Sequence, residues 1–262
     1  MNRIALKRIA LVLALSAVIG AAQAGDGAPD LSKVNGSLVA EAGRTYGDID
    51  TVNGSITVQA KAVARNVETV NGSIVIDSFA SVQDVGTVNG KIVLRNGASA
   101  RGVGTVNGAI VGVSNLRVAK SVEAVNGSIE LGAHSSIGRD VETVNGSIKL
   151  LSLNVGGGVE TVNGNITVGD GSVVDGNVTV KKPSNWGMSW GKPKVPRIVL
   201  GPNSTVKGNL VFEREVELYV HSTAKYGKII YMVSHSSTLE AGASNAEALK
   251  PVVFTGKEPD FK

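Results

Sequence analysis

The sequence contains no cysteine among its 262 residues. This excludes disulfides, thiolate metal ligands, a cysteine nucleophile and a lipid attached to an N-terminal cysteine. Aromatic residues amount to only 4%, while glycine occurs 33 times. Such a composition favours thin, repetitive β-structure over a globular core filled by aromatic rings.

Long apolar runs are lacking beyond the N-terminus. There, three basic residues precede an apolar run over residues 9–22, and small residues at 22 and 24 follow. The run is shorter than the ~20 residues of a transmembrane helix and has the flanks of a secretory signal. We expect residues 1–24 to be a signal peptide removed on export to the periplasm or the cell surface; an N-terminal membrane anchor is the alternative. No transmembrane segment is expected after cleavage.

The mature chain also lacks an excess of one charge. Three of the 26 basic residues lie in the predicted signal peptide, which leaves 23 against 22 acidic residues. A nearly neutral chain gives no electrostatic reason for binding a phosphate backbone. Nucleic acid is therefore not an expected partner.

What the sequence does contain is one motif at a fixed period. Val-Asn-Gly occurs eight times, with spacings of 18 or 19 residues. The Asn-Gly pairs are Asn35-Gly36, Asn53-Gly54, Asn71-Gly72, Asn89-Gly90, Asn107-Gly108, Asn126-Gly127, Asn145-Gly146 and Asn163-Gly164. A fixed period indicates a repeat architecture in which each unit packs on its neighbours. We expect each pair to form a corner, with positive φ at glycine and the asparagines stacked as a ladder.

Apolar residues recur at fixed places within each repeat. Branched aliphatic residues such as Ile56 and Ile74 stand three positions after the asparagine, and other apolar residues follow near positions 5, 11 and 14. Apolar residues two apart indicate strands with one face inward. Asn-Gly also favours hairpins, but one turn type every 18 residues disfavours an antiparallel meander. The predicted fold is an all-β, single-stranded parallel β-helix (β-solenoid) of about ten coils, of undecided handedness.

The repeat also suggests how the chain is divided. We expect an N-terminal cap over 25–33 and a solenoid over 34–230, followed by a C-terminal cap and tail over 231–262. Within the solenoid, the expected parts are Val-Asn-Gly coils over 34–180, an insertion over 181–196 and degenerate coils over 197–230.

The insertion holds both tryptophans and four lysines without an acidic residue. These candidate binding residues are Trp186, Trp190, Lys181, Lys182, Lys192 and Lys194. Exposed aromatic and basic side chains suit an envelope glycan, an anionic surface polymer or a membrane surface. The alternative is that the segment folds back and covers the side of the solenoid.

A second candidate surface lies four positions after the asparagine, between two inward residues. The five residues predicted to point outward there are Val39, Thr57, Val75, Val93 and Val111. Stacked β-branched residues would form a dry strip suited to self-association or surface binding. The simpler alternative is that β-branched residues favour strands.

Acidic residues recur beside the inward valine near position 14. They are Asp48, Asp50, Glu68, Asp84, Glu123, Asp140, Glu142 and Glu160. Such a stripe is a conceivable calcium site, but the basic residues Arg65, Arg101, Lys120 and Arg139 nearby favour a solvated, partly neutralised face.

The signs of enzymatic chemistry are scarce. The three histidines, His134, His221 and His235, lack a recognisable partner for acid–base catalysis and a spacing that suits one metal site. We therefore expect no catalytic residue, no metal site and no cofactor.

The recurrent Thr-Val-Asn-Gly-Ser-Ile resembles the exported bacterial β-solenoid domains described as adhesins. Gly-Asn-Val-Thr-Val at 176–180 and Lys-Gly-Asn-Leu-Val-Phe at 207–212 resemble bactofilins, which are polymer-forming β-helical proteins. The resemblance spans residues 34–230 and implies a non-enzymatic structural or adhesive envelope protein. A filament-forming scaffold is the first alternative, and a carbohydrate-binding or carbohydrate-active β-helix protein is the second.

Overall fold

The computed structural model describes residues 27–183, 195–232 and 252–254. The described residues form 31 β-strands, all paired in parallel, which wind into a β-solenoid of about 11 turns. This confirms the predicted fold class. Within the same residues, no helix has the length and apolar character needed to cross a membrane.

The strands stack into three parallel sheets, named A, B and C, that form the sides of the solenoid. Sheet A contains β1 (Leu31–Asn35), β3 (Ile49–Asn53), β6 (Val67–Asn71), β9 (Asp84–Asn89), β12 (Gly102–Asn107), β15 (Val122–Asn126), β18 (Val141–Thr143), β21 (Val159–Thr161), β24 (Val178–Val180), β27 (Leu210–Phe212) and β30 (Ile229–Tyr231). Sheet B contains β2 (Leu38–Ala40), β4 (Ile56–Val58), β7 (Ile74–Ile76), β10 (Ile92–Leu94), β13 (Ile110–Gly112), β16 (Ile129–Leu131), β19 (Ile148–Leu150), β22 (Ile166–Val168), β25 (Arg197–Leu200), β28 (Glu217–Val220) and β31 (Val252–Phe254). Sheet C contains β5 (Val63–Ala64), β8 (Ser81–Val82), β11 (Ser99–Ala100), β14 (Arg117–Val118), β17 (Ser136–Ile137), β20 (Asn154–Val155), β23 (Val173–Val174), β26 (Thr205–Val206) and β29 (Lys225–Tyr226).

Equivalent residues of successive coils lie opposite one another in every sheet. In sheet A, for example, Asn53 pairs with Asn71, and in sheet B Ile92 pairs with Ile110. The sheets also extend past the coils expected from the repeat. Strand β1 begins at Leu31, and Val252–Phe254 continues sheet B beyond β28.

The core consists of aliphatic columns that run the length of the solenoid. Ile56, Val58 and Val67 are fully buried, as the alternation of apolar residues predicts. One coil has Gly112 at an inward position, where an added Cβ would collide with Leu116. The equivalent of Leu116 in the preceding coil is the smaller Ala98, so the extra leucine fills the space that the glycine leaves.

The glycines of the Asn-Gly corners stack as expected, but the expected reason was wrong. All eight lie among the described residues, and only Gly36 and Gly108 have φ between +20° and +160°. At Gly72, for example, a Cβ would come well under 3.0 Å from the carbonyl oxygen of Gly54 in the preceding coil. Glycine is therefore required because the corner backbones stack too closely for a larger residue.

Positive φ recurs instead at the turn between sheets B and C. The residues with positive φ there are Gly43, Lys61, Phe79, Gly97, Asn115, His134, Ser152, Gly171 and Asn203. Six of the nine are Gly, Asn or His, which adopt that conformation more readily than most residues, whereas Lys61, Phe79 and Ser152 do not favour it. At those three positions the stack of turns fixes the backbone more than local sequence preference does.

Candidate functional surfaces

The corner between sheets A and B carries a continuous ladder of eight asparagines. Each asparagine from Asn53 onward donates from Nδ2 to the Oδ1 of the asparagine one coil earlier, at 2.8–2.9 Å. At the last rung, Arg214 Nη1 donates to Asn163 Oδ1 at 2.9 Å and to the carbonyl oxygen of Val162 at 3.2 Å. The ladder confirms the predicted stacking of the corner asparagines, whereas the role of Arg214 at its end has no signal in the repeat.

The strip predicted from position four lies on the outer side of sheet B. Val39 is 49% exposed, and the residues stacked on it are partly exposed between buried neighbours. Strand register places Val39, Thr57, Val75, Val93 and Val111 in one column. The column continues with Glu130 and Lys149, which form an ion pair of 3.4 Å. The strip thus ends at this charged pair, and the column then continues with Thr167, Val199 and Tyr219.

A second outward column, on sheet A, was not predicted from the sequence. It consists of the valine of every Val-Asn-Gly: Val34, Val52, Val70, Val88, Val106, Val125, Val144 and Val162. Val34 is 48% exposed, and the other seven are half-buried. The signal was present in the alternation from the inward Val67, which places Val70 outward. The outward position of this valine was not predicted because an apolar residue in a strand is usually expected to point into the core.

Five of the predicted acidic residues lie beside that valine column on sheet A. Asp50 stacks on Glu68, and Glu123, Glu142 and Glu160 stack in the later coils. The two groups are separated by Gly86 and Gly104. The acidic column is therefore interrupted at the middle of the solenoid, where glycines lie beside the valines Val88 and Val106.

Three of these carboxyls have shifted acidities. Burial, reinforced by the carboxylates of Asp50, Asp84 and Asp48, raises the pKa of Glu68 to about 7. Burial also raises the pKa of Asp50 to about 6, with Asp48 and Asp30 contributing. Burial and the neighbouring acids, Glu160 foremost, raise the pKa of Glu142 to about 7. Stacked, half-buried carboxyls thus retain protons more readily than free ones.

The remaining acidic residues, Asp48, Asp84 and Asp140, have a structural role at the corner between sheets C and A. Asp140 Oδ1 accepts a hydrogen bond of 2.8 Å from the backbone N–H of Gly158 in the next coil. Arg65 pairs with Asp48, and Arg101 pairs with Asp84. This fits the predicted partial neutralisation. Within the described residues, no group of three or more metal-ligating side chains is suited to an ion.

The histidines do not form a catalytic group among the described residues. His134 lies at one of the positive-φ turns, and His221 Nδ1 is 2.9 Å from Thr223 Oγ1. His235 lies outside the described residues.

Only the two ends of the tryptophan- and lysine-rich insertion are described. It leaves sheet A after β24 and enters sheet B at Arg197, so it replaces an Asn-Gly corner. Lys181 Nζ pairs with Glu160 at 2.5 Å, and the backbone N–H of Lys182 donates to Glu213 Oε2 at 3.0 Å. Of the predicted binding residues, Trp186, Trp190, Lys192 and Lys194 lie outside the described residues.

Comparison with known proteins identifies no relative of this chain. No protein-family model, no curated protein and no solved structure gives a significant match to the sequence. The class is defined by the fold itself, a three-sided parallel β-solenoid. Its distinctive surfaces are the asparagine corner and the two outward columns that flank it.

Proposed function

We propose that this protein is an exported, non-enzymatic structural or adhesive protein of the cell envelope that acts through the surface of its solenoid. The observation that carries the proposal is the unbroken outward valine column of sheet A, with the shorter apolar strip of sheet B beside it. Eight valines at ~4.8 Å spacing extend over about 34 Å.

An outward apolar column of this length needs an explanation beyond strand preference. Exposed strand positions in soluble proteins commonly carry charge, and contiguous apolar surface marks a site of contact with a partner. The later coils do carry charge on sheet B, at Glu130 and Lys149. No charged residue interrupts the valine column of sheet A, where valine persists from Val34 to Val162.

The partner that suits these columns is a long, repetitive polymer of the envelope, such as a glycan or another surface polymer. Equivalent residues repeat once per coil, so a polymer lying along the solenoid meets the same group at each step. The exposed asparagine ladder lies between the two columns and offers amide groups for hydrogen bonds with hydroxyls.

The proposal is tested by measuring binding of the purified full-length mature protein to isolated envelope polymers in a co-sedimentation assay. One variant carries Val70→Lys with Val88→Lys on sheet A, and another carries Val75→Lys with Val93→Lys on sheet B. We expect at least one pair to reduce binding about tenfold or more, because charge must be desolvated at the contact.

The matched control is Ser81→Lys with Ser99→Lys, at outward positions of sheet C in the same coils. All variants are first shown to fold by circular dichroism. Equal binding by the three folded variants and the wild type would refute the proposal. Release of soluble fragments from the polymer would instead indicate a carbohydrate-active enzyme.

A self-assembling scaffold is the second candidate, and one observation favours it. Strand β1 lies at the edge of sheet A, and among the described strands only β3 pairs with it. An open parallel edge is a template for adding the strands of another copy. Sedimentation velocity over a concentration series distinguishes this candidate, since a scaffold should form polymers that grow with concentration.

A further inference from the structure

The eight Asn-Gly corners differ in what the glycine N–H does. In the first five corners, from Gly36 to Gly108, this N–H donates to the carbonyl oxygen of the asparagine one coil further on, at 2.9–3.1 Å. These bonds hold the glycine nitrogen in the backbone network of sheet A. They are the continuation of the sheet into the corner.

The last three corners have another arrangement. Among the described residues, the N–H groups of Gly127, Gly146 and Gly164 donate no hydrogen bond to a backbone carbonyl. Instead, the N–H of Asn145 donates to the carbonyl oxygen of Val125 at 2.7 Å, and Asn163 donates to that of Val144 at 2.8 Å. Correspondingly, strands β18 and β21 end two residues before the asparagine, whereas β15 and the earlier strands of sheet A reach it.

Whether the glycine N–H is hydrogen-bonded affects deamidation, a reaction to which an Asn-Gly pair is chemically suited. The glycine nitrogen attacks Cγ of the preceding asparagine and loses its proton, a new N–Cγ bond forms, and the Cγ–Nδ2 bond of the amide breaks to release ammonia. Water then opens the cyclic imide at either carbonyl, which gives aspartate or isoaspartate. A glycine nitrogen whose proton is held in a backbone hydrogen bond must first break that bond.

We propose that Asn126, Asn145 and Asn163 are sites of spontaneous deamidation in the folded protein, and that the backbone hydrogen bonds protect the corners from Asn35 to Asn107. The inference is independent of the proposed function, because it concerns the backbone of the corners and not the outward columns.

Deamidation at these sites would disrupt the hydrogen bonds of the asparagine ladder. Asn145 Nδ2 donates to Asn126 Oδ1 at 2.8 Å. A carboxylate in place of that amide has no proton to donate, so two oxygens face each other across the coils. Isoaspartate also adds a backbone atom to a corner whose glycine stacks tightly on Gly127. The modification therefore loosens the later coils and leaves the first five intact.

The test is a time course of the folded, full-length mature protein at mildly alkaline pH, followed by proteolysis and mass spectrometry with an isoaspartate-specific methyltransferase assay. We expect conversion at Asn126, Asn145 and Asn163 to be about tenfold faster than at Asn53, Asn71 and Asn89, the factor that corresponds to one hydrogen bond. The urea-unfolded protein should convert all eight sites at similar rates. Equal rates in the folded protein would overturn the proposal.

A variant separates the effect of the glycine N–H from that of the asparagine ladder. Asn53→Ala removes the acceptor of Asn71 Nδ2, while the bond from the Gly72 N–H to the carbonyl of Asn89 remains. Asn71 should stay as slow as in the wild type if the backbone bond protects it. Conversion of Asn71 as fast as that of Asn145 in this variant would show that the protection comes from the ladder, and the proposal would be wrong.

Discussion

Thr69 Oγ1 donates a hydrogen bond of 2.9 Å to the carbonyl oxygen of Gly54, the corner glycine of the preceding coil. The threonine is buried, so this bond satisfies a hydroxyl that points into the core. The same bond joins Thr51 to Gly36, Thr87 to Gly72, Thr105 to Gly90, Thr143 to Gly127 and Thr161 to Gly146. The threonine of Thr-Val-Asn-Gly thus ties each strand of sheet A to the corner beneath it.

Among the seven coils from Thr51 to Thr161, one lacks this hydroxyl, and restoring it should stabilise the protein. Ala124 occupies the position and lies in register between Thr105 and Thr143. We expect Ala124→Thr to increase the free energy of unfolding by about 0.5–1.5 kcal/mol through a new bond to Gly108. Ala124→Val is the control, since it adds similar volume without a donor. If urea denaturation gives both variants the same gain, the hydroxyl is not its source.

The corner glycines should tolerate no larger residue even where φ is unexceptional. Gly72→Ala places a methyl against the backbone of Gly54 and should lower stability by about 1–3 kcal/mol or more. Gly86→Ala is the control in the next coil, because its Cβ would meet nothing nearer than Glu68 Cγ at 3.9 Å. Thermal unfolding compares the two. Equal melting temperatures would contradict close stacking of the corner backbones.

The alternation and the period of the sequence are sufficient to predict the coils, the stacked corners and the outward strip of sheet B. Hydrophobicity, in contrast, misleads at the Val-Asn-Gly motif itself, because it alone would bury Val70 and expose Thr69. The structure has the opposite orientation. The reason is a contact between coils, the hydrogen bond of Thr69 to Gly54, which the sequence of one repeat does not reveal.

At two positions the conformation of the turn between sheets B and C was unpredictable for a similar reason. Lys61 and Phe79 both adopt positive φ there, although neither residue type favours it. Each such residue is held by a neighbouring turn: the N–H of Lys61 donates to the carbonyl oxygen of Ser78 and that of Phe79 donates to Asn96, both at 3.1 Å. At Lys61 and Phe79 the stack determines this conformation, and the residue type does not.

The acidic column of sheet A should make stability depend on pH. Because the pKa of Glu68 and of Glu142 is raised from 4.5 to about 7, the folded state holds protons that the unfolded state releases. These two groups therefore lower stability progressively as the pH rises from about 4.5 to about 7. Removing their charge should stabilise the protein above that range and have little effect below it.

Glu142→Gln tests this expectation by denaturant unfolding at a pH below about 4.5 and at a mildly alkaline pH. At the alkaline pH, we expect a gain of about 0.5–1 kcal/mol after solvent screening of the partly exposed carboxyl. At the acidic pH the gain should disappear, because the carboxyl is then protonated in both states. A gain of equal size at both pH values would attribute the effect to packing.

Arg214 should matter for the end of the asparagine ladder and little for its middle. Its guanidinium donates from Nη1 to both Asn163 Oδ1 and the carbonyl oxygen of Val162, and burial lowers its pKa. Arg214→Ala leaves both acceptors without this donor and should cost about 1–3 kcal/mol. Arg95→Ala is the control, since Arg95 is 57% exposed and its 3.7 Å pair with Asp77 should contribute at most about 1 kcal/mol.

Hydrogen exchange locates the effect of Arg214→Ala, because a repeat protein opens locally and each coil depends on its neighbours. The N–H of Asn163 and the N–H of Asn145 should exchange faster in the variant, since their bonds to Val144 and Val125 lie next to the lost cap. The N–H of Gly72, which lies several coils before the end of the ladder, should exchange at the wild-type rate. Faster exchange throughout the solenoid would mean that Arg214 supports the whole stack and not only its last corner.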